Sequence, residues 1–443
     1  MKFFKSLYIH QRFFIYIAII STLFILSYWI EFLYQLAWVS VLFLMVFMFL
    51  DIFLLYNKKQ KLEAFRNVSQ KLSNSDENPI TIQINNEFNI PIHVKVIDEI
   101  PFQFQKRDFD YSFQLDKYQS FSFEYKLKPT ERGEYDFGNL LLYISSFLKI
   151  FSRKITFELS EKVSVYPSYI QMQKYAFLAI SNGLNKLGIK KIRKIGHTME
   201  FEKIKEYTKG DDIRTINWKA TAKRAQIMVN QYQDEKSQPI YSIIDTGRAM
   251  KMPFDQLKLL DYAINSSLAF SNIAIKKGDK AGLLTFSKEI DIILSASKKV
   301  THLNLINEAL YKISTDFTES NFALLYSTIR RKITQRSLII LYTNFEHEAN
   351  LKRQLPYISA IAKKHLLLVV FFKNSELNSL ISEKTEDLKS IYKKSIAEKF
   401  DFEKRLIVKE LEKAGVNTLL TEPSELSVNV INKYLQFKAK GMI

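Results

Sequence analysis

The chain reads as three blocks in series: an apolar helical hairpin, an antiparallel β-sandwich, and an α/β domain whose mostly parallel sheet carries helices on both faces. Three observations predict this. Two long apolar runs stand at the start; short runs of alternating hydrophobicity fill residues 80 to 166; and beyond residue 239 continuous apolar stretches of strand length alternate with amphipathic helical patterns. Period-two alternation marks half-buried strands, whereas uninterrupted apolar strands between amphipathic helices must be covered on both faces. At 443 residues, 47% hydrophobic and 14% aromatic, the chain has material for two or three packed domains and does not have the composition of a disordered one.

The first block, residues 1–57, is set by the thickness of a bilayer. Phe13 to Ile30 is 18 residues without a formal charge. As a helix at about 1.5 Å per residue that is about 27 Å, against a hydrocarbon core of roughly 30 Å. Phe32 to Leu50 is interrupted only by Gln35 and continues past Asp51 through IFLLY. The two predict a transmembrane hairpin turning near Glu31; a cleaved signal peptide would have a shorter apolar core and no second span. Lys2, Lys5 and Arg12 precede the first run, Lys58, Lys59, Lys61 and Arg66 follow the second, and the connector has neither Lys nor Arg. Both ends are therefore expected in the cytoplasm, with Tyr28, Trp29, Tyr34 and Trp38 at the interface around the connector. The reading is a multi-pass cell-membrane protein with cytoplasmic soluble domains.

Residues 58–78 contain the helix-permissive KKQKLEAFRNVSQKL and then SNSDENP, predicting a juxtamembrane helix and a loop. Residues 79–167, with ITIQI, IPIHVKVI, FSFEYKL and KVSVYP, predict the sandwich. They contain no paired carboxylates or histidine cluster, so they are expected to be a spacer or docking module. Residues 168–238 read as a linker, with turn signals at Asn182-Gly183 and Gly188 and a basic KKIRK run from Lys190 to Lys194. Residues 239–443 form the α/β domain: IYSIID ends in Asp245, a helix is expected from Phe254 to Lys277 with a stop at Gly278, and AGLLTFS and DIILSA make a hairpin. SLIILYTNF, LLLVVFF and NTLLTEP are further strands, and a charged helical region runs from Glu376 to Ala414.

Composition narrows the chemistry. There is no cysteine, which excludes disulfides, thiol nucleophiles and thiolate metal sites. Walker A, GxSxG and HExxH patterns are absent, so no enzyme is expected. His347 lies between Glu346 and Glu348, a spacing unsuited to a shared metal, and His10, His93, His197, His302 and His365 are isolated from one another in sequence. The formal charge is +18, and residues 171 to 240 hold 14 Lys/Arg against 7 Asp/Glu. Such an excess suits an anionic membrane surface, an acidic protein face or a polyanion. No nucleic-acid module is visible, and nucleic acid is not expected as a partner.

The stretch EFEKIKEYTKGDDIRTINWKATAK, Glu200 to Lys223, carries Glu206, Tyr207, Gly210, Asp211, Arg214, Ile216, Trp218 and Ala222, and it resembles the signature of the DUF58 family. RGEYDFG and VSVYP resemble that family's β-rich part. IYSIID, its turn and KKGDKAGLLTFS resemble the opening strands of a von Willebrand factor A-like, Rossmann-type domain. Such domains hold a divalent cation through Asp-x-Ser-x-Ser, a Thr and a second Asp. This chain has Asp245-Thr246-Gly247-Arg248-Ala249, offers Thr318 or Ser320 from the loop Asp316 to Asn321, and has Asn344 at the end of the third long strand. Gly247 and Ala249 have no hydroxyl and Asn344 no charge, while a hard cation requires several oxygen ligands. The resemblance therefore implies a degenerate, metal-free rim of Asp245, Gly247, Ala249, Thr318 and Asn344, with residual Mg²⁺ binding through Asp245 as the alternative. Arg248 is expected to pair with Asp245.

In the signature, Gly210 suits a positive-φ turn and Asp211 or Asp212 a helix cap near Ile213. Arg214 is expected to bond one of these carboxylates, and Ile216 and Trp218 to pack on the domain. The block then serves either as a packing clip or as a recognition surface. Resemblance to DUF58 implies a MoxR-type AAA+ ATPase as partner. The expected function is a non-catalytic, membrane-anchored adaptor or scaffold in a chaperone-like or envelope-assembly role. The alternatives are a Mg²⁺-dependent adhesion-type receptor or enzyme using Asp245, and polyanion binding through the basic linker.

Overall fold

The computed structural model describes residues 2–57, 61–106, 109–180, 200–208, 211, 213–233, 237–255, 257–315, 317–374, 377, 380–381 and 387–443. The chain divides into two compact units, Met1–Val165 and Tyr166–Ile443.

The first unit opens with α1 (Lys2–Ser6), β1 (Leu7–Ile9), α2 (Gln11–Leu26) and α3 (Phe32–Leu55). α3, 24 residues, is the one described helix long and apolar enough to cross a membrane. α2 is apolar but has 16 residues, about 24 Å of helix. It ends at Leu26 with Ser27 as its cap, short of the uncharged run's end at Ile30, and the Ser27 hydroxyl bonds back to the Phe24 carbonyl at 2.7 Å. The amides of Tyr28 and Trp29 then bond to Ile25 and Leu26. Phe24 packs edge-on against Tyr34 and Trp38 across the turn, at 6.3 and 6.0 Å.

The rest of this unit is antiparallel sheet. β1 pairs with β10 (Phe151–Phe157), followed across the sheet by β9 (Leu140–Ser145), β5 (Ile92–Asp98) and β6 (Tyr111–Leu115). β3 (Lys71–Ser73), β11 (Glu161–Tyr166) and β8 (Gly133–Phe137) form a second sheet; β2 (Leu62–Asn67), β4 (Asn78–Asn86) and β7 (Ser120–Leu127) form a third. Ile80, Ile82 and Ile84 of β4, Val94 and Val96 of β5, and Leu142 and Ile144 of β9 meet in one core.

The juxtamembrane helix expected within residues 58–78 is instead strand. LEAFRN turns Leu62 and Ala64 inward and pairs with β4 along its whole length. Burial on a pleated face outweighs the helix propensity of its Leu, Glu and Ala. The register also places Arg66 in the interior, where its guanidinium meets Asp98 at 2.6 Å. Tyr125 donates its hydroxyl to the other Asp98 oxygen.

The second unit begins with α4 (Tyr169–Ile180) and a hairpin of β12 (Glu200–Glu206) and β13 (Met228–Gln233), with α5 (Trp218–Arg224) in the connection. Residues 168–238 are thus more than a linker; Asn182-Gly183, Gly188 and the Lys190 to Lys194 run lie outside the described residues. A six-stranded mixed sheet follows, formed by β14 (Pro239–Asp245), β17 (Lys280–Phe286), β18 (Ile290–Ser297), β19 (Leu338–Tyr342), β20 (Leu366–Phe372) and β21 (Asn417–Thr421). Their spatial order is β18-β17-β14-β19-β20-β21, with β18 antiparallel and the others parallel. Counted along the chain this is 3-2-1-4-5-6, so the winding reverses between β14 and β19, and the crevice at their carboxyl ends is where open sheets place ligand sites.

Alternation along β14 sorts the two faces. Ile240 and Ile244 join the core with α6 (Leu259–Lys276), α7 (Val300–Lys312) and the C-terminal helix. Tyr241 and Ile243 join the opposite core with α8 (Phe322–Lys332), α9 (Glu348–Lys364) and α10 (Leu388–Lys413). α6 starts later than Phe254 because Pro253–Phe254 (β15) and Leu257–Lys258 (β16) first pair as a short ladder. α10 begins where the Asp387 carboxylate accepts the Ser390 amide at 2.8 Å.

Candidate functional site

Asp245 ends β14 at the reversal point and is 2% exposed. One carboxylate oxygen accepts the Gly247 amide at 2.9 Å and the Ser320 hydroxyl; the other accepts the Thr343 hydroxyl at 2.7 Å. Three loops, after β14, before α8 and after β19, are thereby gathered on one carboxyl group. Burial pushes its pKa up, and the bonds from Ser320, Thr343 and Gly247 oppose that rise. The following Thr246 amide bonds to the Phe286 carbonyl at 2.8 Å, fixing the turn to β17. A Cβ at Gly247 would lie 2.2 Å from the Ser320 oxygen and 3.1 Å from an Asp245 oxygen, so only glycine lets the loops close this tightly.

The remaining rim residues sit in the same loops. The Thr318 carbonyl accepts the Arg248 amide at 3.0 Å, and the Thr318 hydroxyl is buried without a partner among the described residues. Ala249 lies half-buried in the short turn Arg248–Lys251. Asn344 accepts the Lys404 ammonium at 2.7 Å, and Lys404 also reaches the Phe345 carbonyl at 2.5 Å. Burial holds Lys404 down to about 8. His347 and Glu403 meet at 2.9 Å, so three contacts, two from Lys404 and one from Glu403, tie the loop after β19 to α10.

The expected Arg248–Asp245 pair is not formed. Arg248 lies 3.6 Å from Glu319, both side chains being more than half exposed. Its backbone is held by Thr318, which sends the guanidinium outward while Asp245 is sealed by neutral donors.

In the signature segment, the Tyr207 amide bonds to the Ile227 carbonyl at 2.9 Å, just beyond Glu206, which pairs with Met228. Asp211 does not cap a helix. It accepts Lys205 at 2.8 Å and, on its other oxygen, the Thr208 amide and hydroxyl at 2.9 and 2.8 Å. These bonds, that from Lys205 foremost, hold its pKa down to about 2. The cap of α5 is Asn217, whose side chain accepts the Ala220 amide at 3.0 Å. Ile216 is half-buried and bridges to Val229. Trp218, expected to pack, is instead 73% exposed, with Ile213 at 69% and Ile227 at 50%. It occupies the first turn of a short helix whose own cap faces the hairpin. Arg214 lies exposed in the turn Ile213–Thr215, whereas Gly210, Asp212 and Asp316 lie outside the described residues.

This arrangement, a strand-end carboxylate behind a Trp-bearing hairpin in sequence, can be set beside known proteins. Residues 203–386 match the family model described as protein of unknown function DUF58. The DUF58 match begins in β12 and takes in Trp218, Asp245, Thr318, Ser320 and Asn344. The uncharacterized protein YeaD of Bacillus subtilis (strain 168) is 24% identical over 176 residues, 39% of this chain and 41% of the relative, so less than half the relative's length is spanned. Among solved structures, the conserved hypothetical protein BatB of Bacteroides thetaiotaomicron is 12% identical with a TM-score of 0.28, covering 46% of this chain and 99% of that one. The CARDB domain of the PF1109 protein of Pyrococcus furiosus is 13% identical with a TM-score of 0.18, covering 24% of this chain and 93% of the other.

Sequence reasoning named Asp245, Thr318 and Asn344, left one contact as an option and missed two. Thr343 precedes Asn344 at a strand end that already pointed to the site, and that adjacency was the available signal. Ser320 was named only as an option beside Thr318. Lys404, in a charged helix distant in sequence, carries no local mark at all.

Proposed function

We propose that this chain is a membrane-anchored, non-catalytic adaptor that binds protein partners through a von Willebrand factor A-like domain lacking a working metal site. The observation that carries this reading is the state of Asp245: buried, with both oxygens taken by donors of the fold itself. The 3-2-1-4-5-6 order with an antiparallel third strand supports the von Willebrand A-like assignment. The donor set does not fit Mg²⁺. Gly247 and Ala249 offer no side-chain oxygen, Asn344 already receives an ammonium, and among the described residues one carboxylate with a single spare hydroxyl at Thr318 falls short of the near-octahedral set of oxygens a hard cation demands.

α3 supplies the anchor, with α2 as a shorter second span, and the flanking cations favour cytoplasmic ends. The exposed Trp218, Ile213 and Ile227 supply a recognition surface of the kind whose aromatic residues dominate binding energies. Resemblance to DUF58 supports a MoxR-type AAA+ ATPase as the partner, in a chaperone-like or envelope-assembly role. The test is a pull-down of the full chain from native membranes: an AAA+ ATPase should be recovered with the wild type and reduced about tenfold or more with Trp218→Ala, the loss of a typical aromatic hot spot. Equal recovery with both forms removes Trp218 from the surface, and recovery of no ATPase removes that partner. Calorimetry separates the metal-dependent reading: Mg²⁺ heat abolished by Asp245→Ala would replace the adaptor with a cation-dependent receptor.

A further inference from the structure

Both chain passages between the sandwich and the apolar helices are fastened to one turn, residues 146–150. On the way in, Ile9 pairs with Phe151 and the His10 amide bonds to the Ile150 carbonyl at 2.9 Å. On the way out, Asp51 of α3 is fully buried. It accepts the amides of Ile150 and Phe151 at 3.1 and 2.8 Å and the hydroxyl of Ser146. Arg153 bonds to the Leu55 carbonyl at 2.8 Å. His93 pairs in register with Ser145, the last residue before the turn. Arg12, His10, Lys149 and His93 therefore share the end of the five-stranded sheet from which α3 departs.

These groups lie within one another's electrostatic reach. His10 and His93 are both pushed below the ordinary histidine range, first by burial and then by Lys149 and Arg12. The carboxylate bearing on His10 is Asp51, whose oxygens are already occupied. Neither Arg12 nor Lys149 forms an ion pair with a described carboxylate. Phe147 at the tip of the turn is 56% exposed, and Ile9 52%. A concentrated positive field with an exposed aromatic, at the foot of a membrane-length helix, has the chemistry of an interface with anionic lipid.

We propose that the foot of the anchor binds the phosphate headgroup of an anionic phospholipid, with Arg12 and Lys149 as its charge partners, His10 and His93 as flanking N–H donors, and Phe147 among the acyl chains. The site goes beyond the adaptor reading and rests only on α3 being a membrane span. A lipid is favoured over an acidic protein because the cluster stands at the depth where the apolar part of α3 ends and carries apolar side chains beside its charges.

The test uses the full chain reconstituted into vesicles of phosphatidylcholine containing spin-labelled phosphatidylglycerol or phosphatidylcholine, with the motionally restricted fraction as readout. The wild type should prefer phosphatidylglycerol. Arg12→Gln with Lys149→Gln should lower that preference about fivefold per cation removed, with thermal unfolding unchanged. Lys126→Gln with Lys162→Gln, which removes the same charge from exposed positions elsewhere on the sandwich, should leave it intact. Absence of preference, an equal fall in the control pair, or full displacement by inorganic phosphate overturns the lipid site. So does a cross-link from Lys149 to an acidic protein in native membranes without lipid preference. Failure to insert into phosphatidylcholine vesicles would sink the span reading and the site with it, whereas insertion without preference sinks the site alone.

Discussion

Asp245 holds three loops through three donors, and removing it leaves all three without this acceptor, the Gly247 amide and Thr343 hydroxyl in the buried interior and the Ser320 hydroxyl half-buried. A stranded buried donor costs about 1–3 kcal/mol, so Asp245→Ala should lower unfolding stability by about 2–4 kcal/mol after partial relaxation, read by urea denaturation. Thr343→Val should cost about 1 kcal/mol, the worth of one bond. Little change in either variant would mean the loops are held by packing. His365 makes a second residue-level prediction. It is 4% exposed with neither ring nitrogen bonded among the described residues, and burial, helped by Lys364, pushes its pKa down to about 4. The fold thus holds the neutral ring. Above pH 6.5 folded and unfolded states are both neutral; as pH falls from 6.5 toward 4 the unfolded state takes the proton first, so stability is lost across that window. At about 1.4 kcal/mol per pH unit, the wild type should lose about 2–3 kcal/mol more than His365→Leu over this range. Parallel pH profiles for the two proteins would contradict the assignment.

At the scale of elements, α3 is coupled to the sandwich by Asp51, a lone carboxylate in an apolar run whose oxygens take Ser146, Ile150 and Phe151. Asp51→Leu keeps the helix apolar and strands two backbone amides, so it should destabilise the sandwich by about 2–3 kcal/mol without releasing the chain from lipid. A chain released from the membrane would show instead that Asp51 serves insertion. The sequence made this residue visible as an interruption and left its purpose unread, since its partners lie about a hundred residues away. The same limit explains the misreading of residues 58–78: LEAFRN has a helix former's composition, and its strand state follows from pairing with β4, which no local window contains. The parallel strands were legible because burial on both faces writes itself as an apolar run. Asp245 was legible because such a run ends on it, while Ser320, Thr343 and Lys404 reach the site by tertiary contact. Arg248 was assigned by proximity in sequence, and the turn that carries it directs the side chain away.

For the whole molecule, the charge of +18 and the apolar helix α3 offer two distinct modes of attachment, and they separate under salt. Surface attraction by Lys and Arg is screened within about 8 Å at physiological ionic strength and less than that at high salt. A helix with 24 apolar-rich residues is held by transfer of its side chains into hydrocarbon, which salt strengthens rather than weakens. The full chain should therefore stay in the membrane pellet through washes with molar salt and with alkaline carbonate. Leu42 and Phe47 lie near the middle of α3 and are exposed along it. Replacing each by Arg costs about 2.5–3.5 kcal/mol at a helix centre, so Leu42→Arg with Phe47→Arg should shift the chain into the carbonate supernatant while leaving the sandwich core untouched. Extraction of the wild type by salt alone would assign attachment to the basic surface, and retention of the double variant would place the insertion in α2 or outside both helices.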